Sequence, residues 1–287
     1  MVMCYLPAQV KPAVGLLKMS TFITYEGDNL AIMRELPSET IDLIYIDPPY
    51  FSQRNYGDFD DRWKSMHHYL DFMVERLKEM HRLLKPTGSI YVHLDWHAVH
   101  YVKVEMDKIF GYDNFVNEVV WNYSRWTGAT KSFQNMHNTI LFYKKDTIVF
   151  NVQFEPYSKN SKHKAKRFSI VQEGVFLQSY TSDISRMKAM SDVWNLSYIN
   201  SQAKERNGYP TQKPAELMER IILASSNEGD LVADFFCGSG SFIKKAHELG
   251  RSCIGVDVSP KALFLARSPT KRPADGGNAA PEFSNFD

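Results

Sequence analysis

Cysteine is scarce in this sequence, which contains only Cys4, Cys237 and Cys253 among its 287 residues. Three cysteines cannot build a disulfide framework, and their positions lack the paired spacing of a zinc site. We therefore expect all of them to be reduced thiols, as is typical of a cytoplasmic protein.

Long apolar runs are missing as well. No run approaches the roughly 18 residues that a membrane-spanning helix needs, so we predict no contact with a membrane. The segment Met1 to Leu17 is mildly apolar but has no small-residue cleavage pattern, which argues against a signal peptide. Met19 is an alternative natural start. Together these absences favour a cytoplasmic location.

The chain also lacks an excess of either charge, since its formal net charge is +1. The charges are nevertheless unevenly distributed. Between Val120 and Lys213 there are 14 lysines and arginines against 6 aspartates and glutamates, whereas the remainder has 20 against 27. A locally basic segment favours binding of a polyanion such as nucleic acid, although a solvated charged surface is the ordinary alternative.

Apolar periodicity predicts strands that alternate with helices. The predicted strands are 22–25, 41–46, 89–95, 117–121, 138–143, 230–236 and 253–257, and the predicted helices are 29–36, 66–84, 215–225, 242–249 and 260–267, with a further helix that ends at 110. We expect 117–121 and 138–143 to pair antiparallel at the sheet edge. This order predicts an α/β fold with a doubly wound, mostly parallel sheet.

The segment Asp47-Pro48-Pro49-Tyr50 ends the predicted strand 41–46 abruptly, because two prolines cannot continue it. A carboxylate and an aromatic ring are thereby placed at the carboxyl end of a strand, where open α/β sheets bind ligands. The polar segment 51–64 is predicted to be a mobile loop over this crevice. By itself the tetrapeptide is more simply interpreted as a plain strand followed by a Pro-Pro turn.

A glycine-rich turn, Cys237-Gly238-Ser239-Gly240, lies between a predicted strand and a helix, and the next strand ends at Asp257. Such glycines let the backbone approach a nucleotide closely, and the acidic residue can accept hydrogen bonds from two ribose hydroxyls. The third glycine of the dinucleotide motif is replaced by Ile243. This argues against a pyrophosphate and leaves room for a nucleoside such as S-adenosylmethionine. A purely structural glycine turn is the alternative.

A cluster of His93, Asp95, His97 and His100 has spacings that superficially suit a metal. Only His97 and His100 would share one helical face, and no clear fourth ligand is present. We therefore predict no metal site.

Three segments together resemble an amino-group DNA methyltransferase of the β arrangement. These are Asp-Pro-Pro-Tyr at 47–50, Thr-Gln-Lys-Pro at 211–214 and Phe-Cys-Gly-Ser-Gly at 236–240. In that arrangement the catalytic motif comes first, a target-recognition region follows and the cofactor motif comes last. The resemblance, which covers about 22–267, implies a circularly permuted S-adenosylmethionine-dependent methyltransferase fold with an inserted target-recognition region.

The same resemblance implies the domain organisation. The catalytic half is expected at 22–121, the target-recognition region with an edge strand at 122–209, and the cofactor-binding half at 210–267. The polar tail 268–287 is expected to be disordered. Because the arrangement is a permutation, we expect the strand that begins at Phe22 to lie near the one that ends at Asp257.

The resemblance also assigns site residues. Asp47 and the Pro48 carbonyl would each accept an N–H of the target amine, Pro49 would stiffen the loop, and Tyr50 would stack on a base flipped out of the duplex. The residues implied to contact the cofactor, S-adenosylmethionine, are Asp28, Thr211, Lys213, Asp234, Phe236, Gly238, Gly240 and Asp257. The residues expected to contact DNA are Arg125, Lys159, Lys162, Lys164, Lys166 and Arg167.

An aspartate at position 47 favours transfer to adenine-N6 of double-stranded DNA, since cytosine-N4 enzymes of this resemblance more often have serine. Cytosine-N4 transfer remains the main alternative, followed by methylation of RNA or of a protein amide and by a DNA-binding module without activity. The resemblance further allows a cognate restriction endonuclease and a homodimer as partners, in the cytoplasm of a prokaryotic cell or encoded by a phage.

Overall fold

The structure, a computed structural model, describes residues 20–57, 59–124, 131–156, 187–200, 203 and 205–268. The six residues predicted to contact DNA, the alternative start at Met19 and nearly all of the tail lie outside these ranges. No helix of the described residues is long and apolar enough to cross a membrane.

Strands and helices alternate along the chain as predicted. The strands are β1 Phe22–Glu26, β2 Ile41–Ile46, β3 Leu84–Leu94, β4 Phe115–Asn122, β5 His137–Lys144, β6 Phe154–Pro156, β7 Met187–Ala189, β8 Val193–Asn195, β9 Leu231–Asp234 and β10 Ser252–Asp257. The helices are α1 Asn29–Glu35, α2 Met66–Leu83, α3 Val99–Phe110, α4 Ala215–Ser225, α5 Ser241–Glu248 and α6 Pro260–Arg267. β6 and β7 form a separate antiparallel pair.

Eight strands form one sheet in the order β1-β10-β9-β2-β3-β5-β4-β8. The first five of these strands are parallel to one another, and β5 is antiparallel to β3. β1 pairs with β10 from Phe22 opposite Cys253 to Glu26 opposite Asp257. The strand that begins at Phe22 therefore lies directly beside the strand that ends at Asp257, as the permuted arrangement predicts.

The prediction that β4 and β5 form an antiparallel pair is confirmed, but their expected position at the sheet edge is wrong. β5 lies between β3 and β4, and β8 pairs with β4 on the outside, with Val120 opposite Val193. A strand of three residues carries too little periodicity to be predicted, which is why the edge was misplaced.

Helices cover both faces of the sheet, as the doubly wound prediction requires. In β2 the side chains of Ile44 and Ile46 join the core beneath α1, α2 and α3, whereas Leu43 and Tyr45 join the core beneath α4, α5 and α6. Strands that are buried on both faces read as continuous apolar runs, which is what the sequence of β2 shows.

The start of β3 differs from the prediction. The strand predicted at 89–95 begins earlier, at Leu84, and Thr87 and Gly88 lie within an irregular stretch where the register with β2 slips. A Cβ at Gly88 would lie 3.0 Å from the Lys85 carbonyl oxygen and 3.1 Å from that of Ile41. Close backbone approach therefore requires glycine there.

Candidate active site

A cavity of about 370 Å³ lies at the carboxyl ends of β9 and β2. These neighbouring strands continue in opposite directions through the sheet, β9 to β10 and β2 to β3, so the cavity occupies the topological switch point where open α/β sheets bind ligands. Among the residues that line it are eleven of the predicted ones: Asp28, Asp47, Pro48, Pro49, Tyr50, Thr211, Lys213, Asp234, Phe236, Gly238 and Asp257.

Gly240 is the predicted cofactor residue that does not line this cavity. Its φ angle is +80°, and a Cβ there would lie 2.8 Å from the Cβ of Ala266 in α6. Gly240 therefore makes the turn into α5 and the close approach of α6 possible. Gly240 therefore affects the position of the elements around the cavity and does not itself line the cavity.

The Asp47 carboxylate is held by two side chains. The Tyr50 hydroxyl donates a hydrogen bond to Oδ1, and the Lys213 ammonium forms an ion pair with Oδ2. Lys213 lies 166 residues further along the chain. The motif that was predicted to serve the cofactor alone thus also contacts the catalytic motif.

Tyr50 is a hydrogen-bond donor in this arrangement. Burial and the neighbouring Asp47 carboxylate raise the pKa of the Tyr50 phenol well above its usual value. The phenol stays protonated at neutral pH, which suits donation to Asp47.

His93 lies beside the Asp47 carboxylate. Its Nδ1 is 2.8 Å from the Tyr45 hydroxyl and 4.0 Å from Asp47 Oδ1. Burial lowers the pKa of His93 to about 3, so the imidazole is neutral. His97 hydrogen-bonds Asp95 instead, at 2.8 Å. Within the described ranges, no group of three or more metal-ligating side chains is arranged around a common centre.

Asp257 is held by backbone amides. Gly238 N donates to Oδ2 at 2.8 Å and Ser259 N donates to Oδ1 at 2.9 Å. Burial raises the pKa of the Asp257 carboxyl, although the backbone hydrogen bonds act in the opposite direction. Each carboxylate oxygen retains a second lone pair, which is what acceptance from two ribose hydroxyls requires.

Asp234 is more deeply buried, with 3% of its surface exposed. Its Oδ1 accepts a hydrogen bond from Phe236 N at 3.0 Å. Burial raises the pKa of the Asp234 carboxyl well above its usual value, and the nearby carboxylates Asp47 and Asp257 raise it further. A buried group of carboxylates fits a cationic ligand, because a positive charge offsets the cost of burying them.

The missing third glycine has a structural explanation. Ile243 points from α5 onto β10, where a Cβ at Gly255 would lie 2.5 Å from the Ile243 Cδ1 atom. The glycine that allows helix and strand to approach is thus on the strand and not on the helix. Sequence alone could not assign this role to Gly255.

Asp28 lines the cavity and also bonds two neighbouring parts of the fold. It caps α1 by accepting a hydrogen bond from Ala31 N at 3.0 Å, and it pairs with Arg76 at 2.6 Å. Arg76 also donates to Asn29 Oδ1 at 2.7 Å and lies 3.5 Å from the centre of the Phe72 ring. Asp28 therefore has a structural role beside the one predicted for it.

Aromatic rings form one wall of the cavity. Phe72 lies 6.2 Å from Phe236 and 4.9 Å from Trp63, measured between ring centres. A flat adenine can pack against the cavity side of such rings, and the carboxylates nearby match ribose hydroxyls and a sulfonium. The residues present therefore fit S-adenosylmethionine.

Asp61 is the main site residue that sequence reasoning missed. It is 1% exposed, and its carboxylate accepts hydrogen bonds from the backbone of the loop that follows Pro49. A polar loop gave no signal that one of its several acidic residues would be buried. The loop does line the cavity, while its mobility stays a prediction.

Comparison with solved structures defines the class. PvuII DNA methyltransferase, which is cytosine-N4-specific, has a TM-score of 0.63 and 18% identity, with 89% of each chain covered. The M1.HpyAVI–SAM complex has a TM-score of 0.58 and 19% identity, covering 86% of this chain and 98% of that one. These likenesses show the fold of S-adenosylmethionine-dependent DNA methyltransferases.

Sequence comparison gives the family. The DNA methylase family model N6_N4_Mtase matches residues 41–267. M.HpaI, a Type II methyltransferase of Haemophilus parainfluenzae, is 33% identical over 237 residues, which are 82% of this chain and 69% of that protein. The DNA adenine methyltransferase YhdJ of Escherichia coli strain K12 is 32% identical over 240 residues, 83% and 79% respectively. The chain belongs to the N6/N4 DNA methylase family and uses S-adenosylmethionine.

Proposed function

We propose that this protein is a site-specific DNA methyltransferase that transfers a methyl group to N6 of an adenine flipped out of double-stranded DNA. The observation that carries the proposal is the Asp47 carboxylate, held at the switch-point cavity beside Asp234 and Asp257. The name of YhdJ as a DNA adenine methyltransferase supports adenine as the base. The likeness to the cytosine-N4-specific PvuII enzyme, at 18% identity, concerns the fold alone.

The target amine needs activation, because its lone pair is delocalised into the ring. Asp47 and the Pro48 carbonyl would each accept one N–H, which holds the nitrogen toward tetrahedral geometry with its lone pair directed at the methyl group. The neighbouring Pro49 carbonyl already accepts a hydrogen bond from the Tyr69 hydroxyl at 2.8 Å. As the bond from N6 to the methyl carbon forms, the bond from that carbon to the donor sulfur would break and the donor would leave as a neutral thioether. The excess proton on N6 would pass by way of Asp47 to solvent. Positioning and electrostatics supply most of the rate.

Capture of the base would also move a side chain. Oδ1 now accepts from the Tyr50 hydroxyl, and the Tyr50 ring can stack on the base only if that hydroxyl leaves Asp47, while Lys213 stays on Oδ2. The Tyr50 ring would then be available to stack on the base. Lys213 would keep the carboxylate oriented during this exchange.

The cofactor supplies an electrophilic methyl group when it is bound. Asp257 would accept hydrogen bonds from the ribose hydroxyls, and the negative charge of Asp234 would face the cationic end. Phe236 and Phe72 would pack against the adenine. Thr211 and Gly238 would complete the wall around the methionine portion, since both line the cavity.

Binding of DNA would fall to the region 122–209. The basic residues Lys162, Lys164, Lys166 and Arg167, which lie outside the described residues, would contact phosphates. Neutralising all four should weaken DNA binding and reduce the salt dependence of log K by about 0.9 per lost phosphate contact. An unchanged slope in a binding titration between 50 and about 200 mM salt would place the contact elsewhere.

We further propose that the protein acts in the cytoplasm and forms a homodimer. A cognate restriction endonuclease is its proposed partner. The Type II name of M.HpaI supports a restriction-modification context.

Expression in a host without DNA methylation, followed by genome sequencing that detects modified bases, tests the function. N6-methyladenine at one recurrent sequence is the expected result. N4-methylcytosine, or an unmodified genome with active protein present, would contradict the proposal.

A further inference from the structure

The loop that follows the catalytic tetrapeptide is wrapped around a single buried carboxylate, that of Asp61. Its Oδ2 accepts from Tyr50 N at 3.1 Å and from Ser52 N at 2.8 Å. Its Oδ1 accepts from Phe51 N at 3.0 Å and from the Trp63 indole at 2.9 Å. Four donors therefore converge on one side chain that is 1% exposed.

The backbone here has the geometry of an anion-binding concavity. Phe51 and Gln53 have φ angles of +66° and +58°, values that residues other than glycine rarely adopt. Successive amides in such a conformation point toward a common centre and bind anions. In this protein the anion is supplied by the chain itself, and the left-handed residues persist because Asp61 offsets their strain.

We call residues 50–57 and 59–63 the Asp61 loop. Further contacts hold this loop together and join it to α2. The Gln53 side chain bonds the Trp63 backbone in both directions, at 3.0 and 3.2 Å. The Trp63 ring lies 5.2 Å from the Tyr69 ring, and the Tyr69 hydroxyl donates to the Pro49 carbonyl at 2.8 Å. The contacts run from the buried carboxylate back to the catalytic turn.

We propose that Asp61 is a positioning residue of the catalytic loop, which holds the backbone of Tyr50 to Ser52 so that the Tyr50 ring and the Asp47 carboxylate meet the target base in a fixed geometry. The inference rests on the proposed function, because it assigns this loop to capture of the base. Asp61 acts through the backbone of Tyr50 and has no contact of its own with the reacting atoms.

The neighbouring Asp60 offers a matched control. It is exposed, and its carboxylate bonds Arg62, with Nη2 at 2.6 Å and Nε at 2.8 Å. Asp61→Asn keeps the shape of the side chain but replaces an acceptor with an N–H group that faces other donors. Asp60→Asn makes the same chemical change one residue away, where solvent replaces the lost partner.

Limited trypsin cleavage after Arg54 measures loop opening without any need for activity. Asp61→Asn should be cleaved there at least about tenfold faster than the unchanged protein, whereas Asp60→Asn should be cleaved at the original rate. Both variants should still bind S-adenosylmethionine. The Kd should rise by no more than about tenfold in Asp61→Asn, because Asp257 and Asp234 are held by other elements and only Trp63 of the aromatic wall bonds Asp61.

Single-turnover transfer on duplex DNA is the second readout. Asp61→Asn should lower the rate of transfer by about 10- to 100-fold, since misplacement of a catalytic group by an ångström has effects of that size. Unchanged cleavage after Arg54, or an unchanged transfer rate, would overturn the proposal. Loss of cofactor binding in Asp61→Asn would also overturn it, because Asp61 would then hold the whole domain and not the loop.

The cleavage assay separates this inference from the proposed function. If the unchanged protein methylated cytosine or did not methylate DNA, the proposed function would fail, yet faster cleavage of Asp61→Asn would still show that Asp61 fixes the loop. If adenine were methylated and Asp61→Asn behaved as Asp60→Asn does, only the positioning role would fail.

Discussion

The two halves of the cavity hold their carboxylates in different ways. In the cofactor half, Asp257 and Asp234 accept hydrogen bonds from backbone amides of their own or neighbouring turns. In the catalytic half, Asp47 is held by the side chains of Tyr50 and Lys213. The first arrangement is set by the course of the backbone, and the second by side chains that can exchange partners.

Under the proposed function, this difference would match two tasks. A pocket that binds S-adenosylmethionine in every cycle is suited by a rigid backbone frame. The Asp47 carboxylate would exchange the Tyr50 hydroxyl for the target amine, which side chains allow at lower cost. If the two halves are separable in this way, a change in one of them should leave the task of the other nearly intact.

Removing the catalytic carboxylate should have the largest effect. Asp47→Ala should lower the rate of methyl transfer by about 100- to 1000-fold or more, because it removes an acceptor that acts in the transition state. Its Kd for S-adenosylmethionine, measured by calorimetry, should stay within about threefold of the original. Retained turnover on duplex DNA would contradict the role of Asp47.

Removing the carboxylate of Asp257 should affect binding of the cofactor more than the transfer step. Asp257→Ala should raise the Kd for S-adenosylmethionine by about 10- to 100-fold, the size expected for lost hydrogen bonds to a charged group. At saturating cofactor the transfer rate should recover most of its original value. A variant that bound the cofactor normally would show that Asp257 does not contact the ribose.

Asp234→Asn should stabilise the protein while it weakens cofactor binding. The pKa of Asp234 is raised in the folded state, so above its unfolded value of about 3.9 the folded protein binds more protons and stability falls as the pH rises. Asparagine removes this loss. The gain in Tm, about 2–4 °C for each kcal/mol, should therefore be larger at pH 8 than at pH 5 in a thermal melt. A gain that did not change with pH would be inconsistent with a raised pKa.

Gly238→Ala should have the smallest effect. Gly238 has a φ of +49°, and a Cβ there would lie 3.1 Å from the Tyr209 ring, so we expect a loss of about 1–2 kcal/mol. Gly208→Ala, with φ +90° and no atom within 4 Å of the added Cβ, controls for backbone strain alone. Equal losses of unfolding free energy in denaturant titrations would show that contact with Tyr209 adds nothing.

Much of the fold could be predicted from the sequence because the pattern is local. The bounds of β2 at Ile41–Ile46 and of α4 at Ala215–Ser225 were predicted to the residue, since prolines and apolar periodicity mark them. β8 was missed because three residues carry no period.

Only part of the candidate site could be predicted from the sequence. Short motifs identified Asp47 and Asp257, because each lies at the end of a clear strand. The pairing of Lys213 with Asp47 and the burial of Asp61 could not be predicted. Both depend on side chains that meet only once the chain has folded, and a polar loop reads as solvated.

A crystal structure with a cofactor analogue and the duplex identified by genome sequencing would test the central claim most directly. We predict that the exocyclic amine of a flipped adenine lies about 3 Å from both Asp47 and the Pro48 carbonyl oxygen, with Lys213 still on Asp47 and the Tyr50 ring stacked on the base. An amine held by other residues, with the Tyr50 hydroxyl still bonded to Asp47, would contradict the account.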